Sequence, residues 1–104
     1  MFKGTTPTIS LMFPDTIDLT LATQIAVTFS DYRNNTILEK VGSELTVSAQ
    51  QIDIDLTQEE TLAMPKDVLI QVNFLYVDGA TTRRCASTIQ GLRFEKNLKA
   101  EVMI

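Results

Sequence analysis

The groups able to do chemistry in this sequence are few, and the first is Asp53-Ile54-Asp55. Residues i and i+2 of a strand project from one face, so these carboxylates have the spacing to hold a divalent ion between them. A hard cation takes six or more oxygen ligands, and no second acidic cluster supplies the remainder; the pair therefore reads as the solvent face of an amphipathic strand. Glu59-Glu60 would be the acid–base partners of Asp55 in a carboxylate enzyme. In a first helical turn, however, acidic residues complement orphan N–H groups and the helix dipole, and that structural role accounts for them. Cys85 follows Arg83 and Arg84, cations that lower a thiol pKa. A lone cysteine in an alternating strand is more often an inward, inert thiol, and Cys85 is read that way.

The 104 residues include no histidine, which removes Ser-His-Asp and Cys-His nucleophiles, imidazole acid–base chemistry and mixed Cys/His zinc sites. The expectation is a non-enzymatic protein with no catalytic residue, no cofactor and no metal site. A net charge of -4 leaves no basic footprint for phosphates, so neither nucleic acid nor an anionic membrane is an expected partner. The most apolar stretch, Val68 to Val77, is broken by Gln71 and Asn73 and falls well short of the roughly 20 residues of a membrane helix. Met1 to Pro7 has no apolar h-region behind Lys3, so no secretory signal is expected. One cysteine in so small a chain points to synthesis in a reducing cytoplasm. Asn34-Asn35-Thr36 matches a glycosylation sequon but reads as a turn.

The elements that position these residues follow from a period of two. Thr23 to Tyr32 sends Ile25, Val27 and Phe29 to one side, and Gln51 to Leu56 does the same with Ile52, Ile54 and Leu56. Val68 to Val77 is rich in β-branched and aromatic residues and reads as a central strand. Thr36 to Val41 has poorly sorted faces, which places it at an edge. Further strands are expected at Thr8 to Phe13, Glu44 to Ser48, Thr81 to Ile89 and Gly91 to Lys96, with Gly91 marking a bulge or bend. Asn34-Asn35, Gly42-Ser43 and Asp78-Gly79 predict three hairpins. Leu56 to Pro65 breaks the alternation: Thr57 is a plausible N-cap, Glu60 completes a capping box and Pro65 stops the helix, which gives one or two turns near residues 57–64. The N4 residue is Thr61, so the usual hydrophobic staple is missing. The pattern predicts a single domain, residues 1–104: an all-β, antiparallel, immunoglobulin-like sandwich of seven or eight strands with one short helix.

Surface residues suggest contacts. Tyr32 and Arg33 at one turn, and Arg83 and Arg84 near another, suit the rim of a protein interface. Met1-Phe2 and Val102-Met103-Ile104 put apolar residues at both ends, either as strands of the sandwich or as a surface docked on a neighbouring subunit; Met103 and Ile104 join the contact set on the second reading. Tyr32 and Tyr76 are the aromatic rings with a polar tip on which a sugar would stack, and they carry an alternative reading as a small adhesion or carbohydrate-binding module.

Three features occur together: a short start running into Thr5-Thr6-Pro7-Thr8, the block Leu56-Thr57-Gln58-Glu59-Glu60-Thr61-Leu62, and the strand Val68-Leu69-Ile70-Gln71-Val72 leading to Asp78-Gly79. Together they resemble a group of small proteins encoded among the tail and baseplate genes of phages and prophages of Gram-positive bacteria. The strand layout is similar to the immunoglobulin-like N-terminal domain of phage baseplate upper proteins. The resemblance implies a virion structural role in the tail or baseplate region, with other virion or tail proteins as partners and several copies around a symmetric particle, a homo-oligomer included. It places the protein in the host cytoplasm during assembly and then in the virion, and it assigns no site residue.

Overall fold

The structure, a computed structural model, describes residues 1–103 and every side chain among them except that of Asp78. Its strands are β1 (Thr8–Met12), β2 (Gln24–Ser30), β3 (Thr36–Val41), β4 (Leu45–Val47), β5 (Gln51–Asp55), β6 (Asp67–Asp78), β7 (Thr81–Ala86) and β8 (Gln90–Arg93); the helix α1 (Gln58–Leu62) joins β5 to β6. The strands pair antiparallel in two sheets, β1-β5-β4 and β3-β2-β6-β7, with β8 beside β6 on the same edge as β7. This is the all-β sandwich with one short helix that the alternation predicts. In the immunoglobulin order the second strand lies between the first and fifth; here β2 lies between β3 and β6, in the larger sheet.

The faces sort as period two demands. Val27 and Phe29 of β2, Ile52 and Ile54 of β5, and Val68, Ile70, Val72 and Phe74 of β6 are buried between the sheets. β6 has 12 residues whereas β1, β4 and β5 have 3 to 5, so the small sheet cannot cover the whole length of the large one. Leu56 and Met64 on either side of α1, together with Phe94 after β8, are buried and complete the core. The capping box forms as expected: the Glu60 amide donates to Thr57 Oγ1 at 3.1 Å, and the Thr57 amide donates to Glu60 Oε1 at 2.9 Å. In place of a hydrophobic staple, fully buried Thr61 uses its hydroxyl, which accepts from the Gly4 amide at 2.9 Å and donates to the Thr5 carbonyl at 2.8 Å. The N-terminal segment is thereby tied to the helix.

Two of the three predicted hairpins form. Asn34, with φ 64°, turns β2 into β3, and Gly79, with φ 62°, turns β6 into β7. The Asp31 carboxylate closes the first turn by accepting from the Arg33 and Asn35 amides at 2.8 and 2.9 Å. Gly42-Ser43 is a correction: β3 and β4 belong to different sheets, and Gly42–Glu44 is a 3-10 turn that carries the chain across the sandwich. The third hairpin instead joins β4 to β5 through Ser48 to Gln50, where the Ser48 amide donates to the Gln51 carbonyl at 2.9 Å.

A second correction concerns the bulge. Gly91 sits inside β8, paired with Leu69, and the irregularity falls at 87–89. Asn73 pairs with Ala86 and Ile70 with Gln90, so three steps along β6 oppose four on the partner, which is one inserted residue. Ser87 anchors the break: its amide donates to the Val72 carbonyl at 2.8 Å and its hydroxyl accepts from the Val72 amide at 2.9 Å. A glycine signalled the wrong position because this bulge is stabilised by a side chain and needs no unusual backbone.

The molecule is long and thin, 52 × 29 × 20 Å, with a surface of 6785 Å². A monomer of this mass exposes about 5,800 Å² on average, so this chain carries a large surface for its core.

Candidate interaction surface

Asp53 and Asp55 do lie on one face of β5, but β1 has already engaged them. The Ser10 hydroxyl and Gln51 Nε2 each donate to Asp53 Oδ1 at 2.7 Å, and the Thr8 hydroxyl donates to Asp55 Oδ1. The hydrogen bonds from Gln51 and Ser10 hold the Asp53 carboxyl below the usual carboxylate range. These carboxylates therefore act as cross-strand ties on the outer face of the small sheet. Among the described residues, no group of three or more Cys, Asp or Glu side chains is arranged to hold a metal ion. Glu60 is spent on the cap and on Lys40, while Glu59 is exposed to solvent. Cys85 is half-buried against the core, opposite Phe74 on β6.

The proposed contact residues do not converge. Tyr32 and Arg33 are exposed at the β2–β3 turn, where the Tyr32 hydroxyl lies beside Gly91 of β8. Arg83 and Arg84 lie on β7 opposite Tyr76 and Leu75, toward the far end of β6 from Leu69, Gly91's partner. Neighbours on a strand alternate, so the two arginines take opposite faces. Arg84 lies on the outer face, where its guanidinium donates to Asn73 Oδ1 at 3.1 and 3.2 Å; Arg83 shares the inward register with Tyr76. Met103 is 67% exposed and is held at the backbone by the Gln58 amide group, which accepts from its N–H at 2.7 Å and donates to its carbonyl at 2.9 Å. Ile104 lies outside the described residues.

Neither end of the described chain is a strand of either sheet. Phe2 makes one isolated parallel bridge to Glu95, and the Glu95 amide donates to the Met1 carbonyl at 2.6 Å. Asn97 Nδ2 donates to the Lys3 carbonyl at 3.0 Å. The two terminal segments thus run together past α1 and present Met1, Phe2, Leu98, Val102 and Met103, all exposed. Tyr76 is unavailable for stacking: its hydroxyl donates to the Asp18 carbonyl at 3.0 Å and its ring stands edge-on to Phe74 at 5.3 Å. Burial raises its phenol pKa, with the Cys85 and Asp18 charges adding to the shift.

Exposed strand edges belong to the expected contacts, and the structure decides which edge is bare. β3 is an edge strand, as its mixed faces predict, and it turns Lys40 inward beside Val27. An inward charge on an edge discourages further strand pairing. The β7/β8 edge is broken by the Ser87 bulge and carries Arg83 and Arg84, and β4 has only 3 residues. β1 has none of these devices: it is regular over 5 residues and carries no charge. Between β1 and the bulge lies an open groove of about 240 Å³, lined by Leu11, Phe13, Ile17, Val72 and Phe74 with Ser87 at its rim. The run Thr5 to Pro14, ten residues without a charge, was the signal available in the sequence.

The fold and its surface define a class: a small antiparallel β-sandwich whose exposed features include a bare strand edge and apolar side chains on both terminal segments. No family model matches the sequence, and no curated protein or solved structure matches it significantly.

Proposed function

We propose that this chain is a non-enzymatic structural protein of a phage or prophage tail or baseplate region, acting through protein–protein contacts. One observation carries the reading. Three of the carboxylates with chemical potential are tied into the fold, Asp53 and Asp55 to β1 and Glu60 to Lys40, while the apolar side chains of Met1, Phe2, Leu98, Val102 and Met103 stand in solvent, those of Met1, Phe2 and Met103 on hydrogen-bonded backbone. Apolar groups held in place without burial suit a contact surface. The resemblance of the Leu56 to Leu62 block and its flanking segments to small tail-region proteins supports the same reading.

The test is biochemical and genomic. The gene should lie among tail, baseplate or lysis functions, and the protein should bind a neighbouring tail or baseplate product or be present in purified particles. A locus of metabolic genes, with no binding to any virion protein, would end the proposal. The carbohydrate-binding alternative now rests on the 64% exposed ring of Tyr32. Glycan-array binding abolished by Tyr32→Ala would favour it.

A further inference from the structure

We propose that β1 is a self-pairing edge: two copies of this chain join antiparallel through their β1 strands about a two-fold axis, fusing the two three-stranded sheets into one of six. The inference rests on reading the chain as an assembly module and names the partner of one of its surfaces.

The backbone identifies what β1 lacks. The Leu56 amide donates to the Pro7 carbonyl at 3.1 Å and the Phe13 amide donates to the Gln50 carbonyl at 2.8 Å. Bonding residues alternate along an antiparallel strand, so Ile9 and Leu11 also turn their backbone groups to β5. Thr8, Ser10 and Met12 then direct their N–H and C=O groups away from the sheet. Such groups specify their occupant, an extended backbone, more narrowly than an apolar face does.

A second copy fits this edge. A two-fold axis at Ser10 sets Ser10 against its own counterpart and Thr8 against the second copy's Met12, each pair exchanging two hydrogen bonds. Ile9 and Leu11, which face the core, then meet across the axis and extend the apolar layer over the groove at Phe13 and Phe74. Met12, 70% exposed in the single chain, is covered on the outer face. Charge does not forbid the pairing. The chain has a net charge of -4, but Thr5 to Pro14 is uncharged, so the paired segments bring no like charges face to face. Asp53 and Asp55 sit one strand back, hydrogen-bonded to Ser10 and Thr8, and Asp15 lies beyond the strand, after Pro14. Across the interface the two β5 strands stand three spacings apart, about 14 Å, against a Debye length of about 8 Å at physiological salt.

The test is the solution mass of the full chain by light scattering, from about 1 µM to about 1 mM, since a dimer must populate by mass action. The wild type should reach twice the monomer mass. Met12→Lys, a charge at an exposed edge position, and Ser10→Pro, which removes an outward N–H, should remain monomers with unchanged circular dichroism. Thr46→Lys on the opposite β4 edge should dimerise as the wild type does. Amide exchange gives a readout that needs no variant: the Ser10 and Met12 N–H groups should become protected as concentration rises. A wild type that stays monomeric, a dimer that survives Met12→Lys, polydisperse aggregation, or unprotected Ser10 and Met12 amides in the dimer would each overturn β1 self-pairing. A monomer that still binds a tail or baseplate protein would overturn it while leaving the broader assembly reading intact.

Discussion

Lys40 Nζ lies 2.7 Å from Glu60 Oε2, and the two side chains are only 11% and 20% exposed. Lys40 faces inward from the edge strand β3, in register with Val27, and Glu60 reaches it from the first turn of α1. One carboxylate therefore closes the capping box through Oε1 and neutralises a buried ammonium through Oε2. The pair couples the edge of the large sheet to the helix that bridges the sheets. Its removal should be felt in both.

Glu60→Gln retains an oxygen for the Thr57 amide but leaves the Lys40 charge unpaired. Exposed pairs are worth about 0–1 kcal/mol and breaking a fully buried one costs about 3–5, so this mostly buried pair should cost about 2 kcal/mol in urea unfolding. Adding Lys40→Met to that variant should recover most of the loss, because an apolar side chain suits the site beside Val27. Additive losses in the double-mutant cycle would show that the two groups do not interact. Lys40→Met should also raise the aggregation rate, since it removes the inward charge from the β3 edge.

Acid should act through the same carboxylate. Partial burial pushes the Glu60 carboxyl up, but hydrogen bonds from Lys40 and the Thr57 amide, together with the Lys40 charge, outweigh it and hold the group below its ordinary 4.5. Asp53 is likewise held below 3.8. A depressed native pKa means that the unfolded chain binds more protons, so the stabilisation is complete above the unfolded values and is lost as pH falls through the native ones. The Tm should fall between about pH 5 and about pH 3, and less steeply in Glu60→Gln. Parallel Tm–pH curves for the two proteins would contradict this.

Thr61→Val should loosen the N-terminal segment without disturbing the sheets. The isosteric change leaves the part-buried Gly4 amide without its acceptor and the Thr5 carbonyl without its donor, at a cost of about 1–2 kcal/mol. Hydrogen exchange should accelerate at Gly4 far more than at Val72. Thr61→Ser, which keeps the hydroxyl, should restore protection of Gly4.

Ser87→Ala should expose the weakness of the bulge. The Val72 amide loses its acceptor, and about 1–2 kcal/mol of stability should go with it. Faster exchange at Val72, with the β6–β7 hairpin amides near Val77 unaffected, is the expected pattern. An unchanged Val72 exchange rate would mean that the hydroxyl does not hold the break.

The features legible in the sequence are those that depend on neighbours a few residues apart. Alternation in Gln51 to Leu56 sets which side chains of β5 are buried, and Thr57 and Glu60, three residues apart, suffice to cap α1. The Asn34 and Asp78-Gly79 turns are local in the same sense. A period of two assigns faces but says nothing of which strand lies alongside. That choice is made by contacts between distant residues, so Gly42-Ser43 crosses to the other sheet where a hairpin was equally consistent with local chemistry. Lys40 could be buried only because Glu60, twenty positions later, folds back to meet it, and the bulge at Ser87 exists only against Val72. The bare edge of β1 is likewise a property of the assembled sandwich, in which three edges are blunted and one is not. The sequence by itself determined the alternating faces, the cap and an uncharged run from Thr5 to Pro14. Only the tertiary structure, by deciding which backbone groups found partners, made that run an open edge.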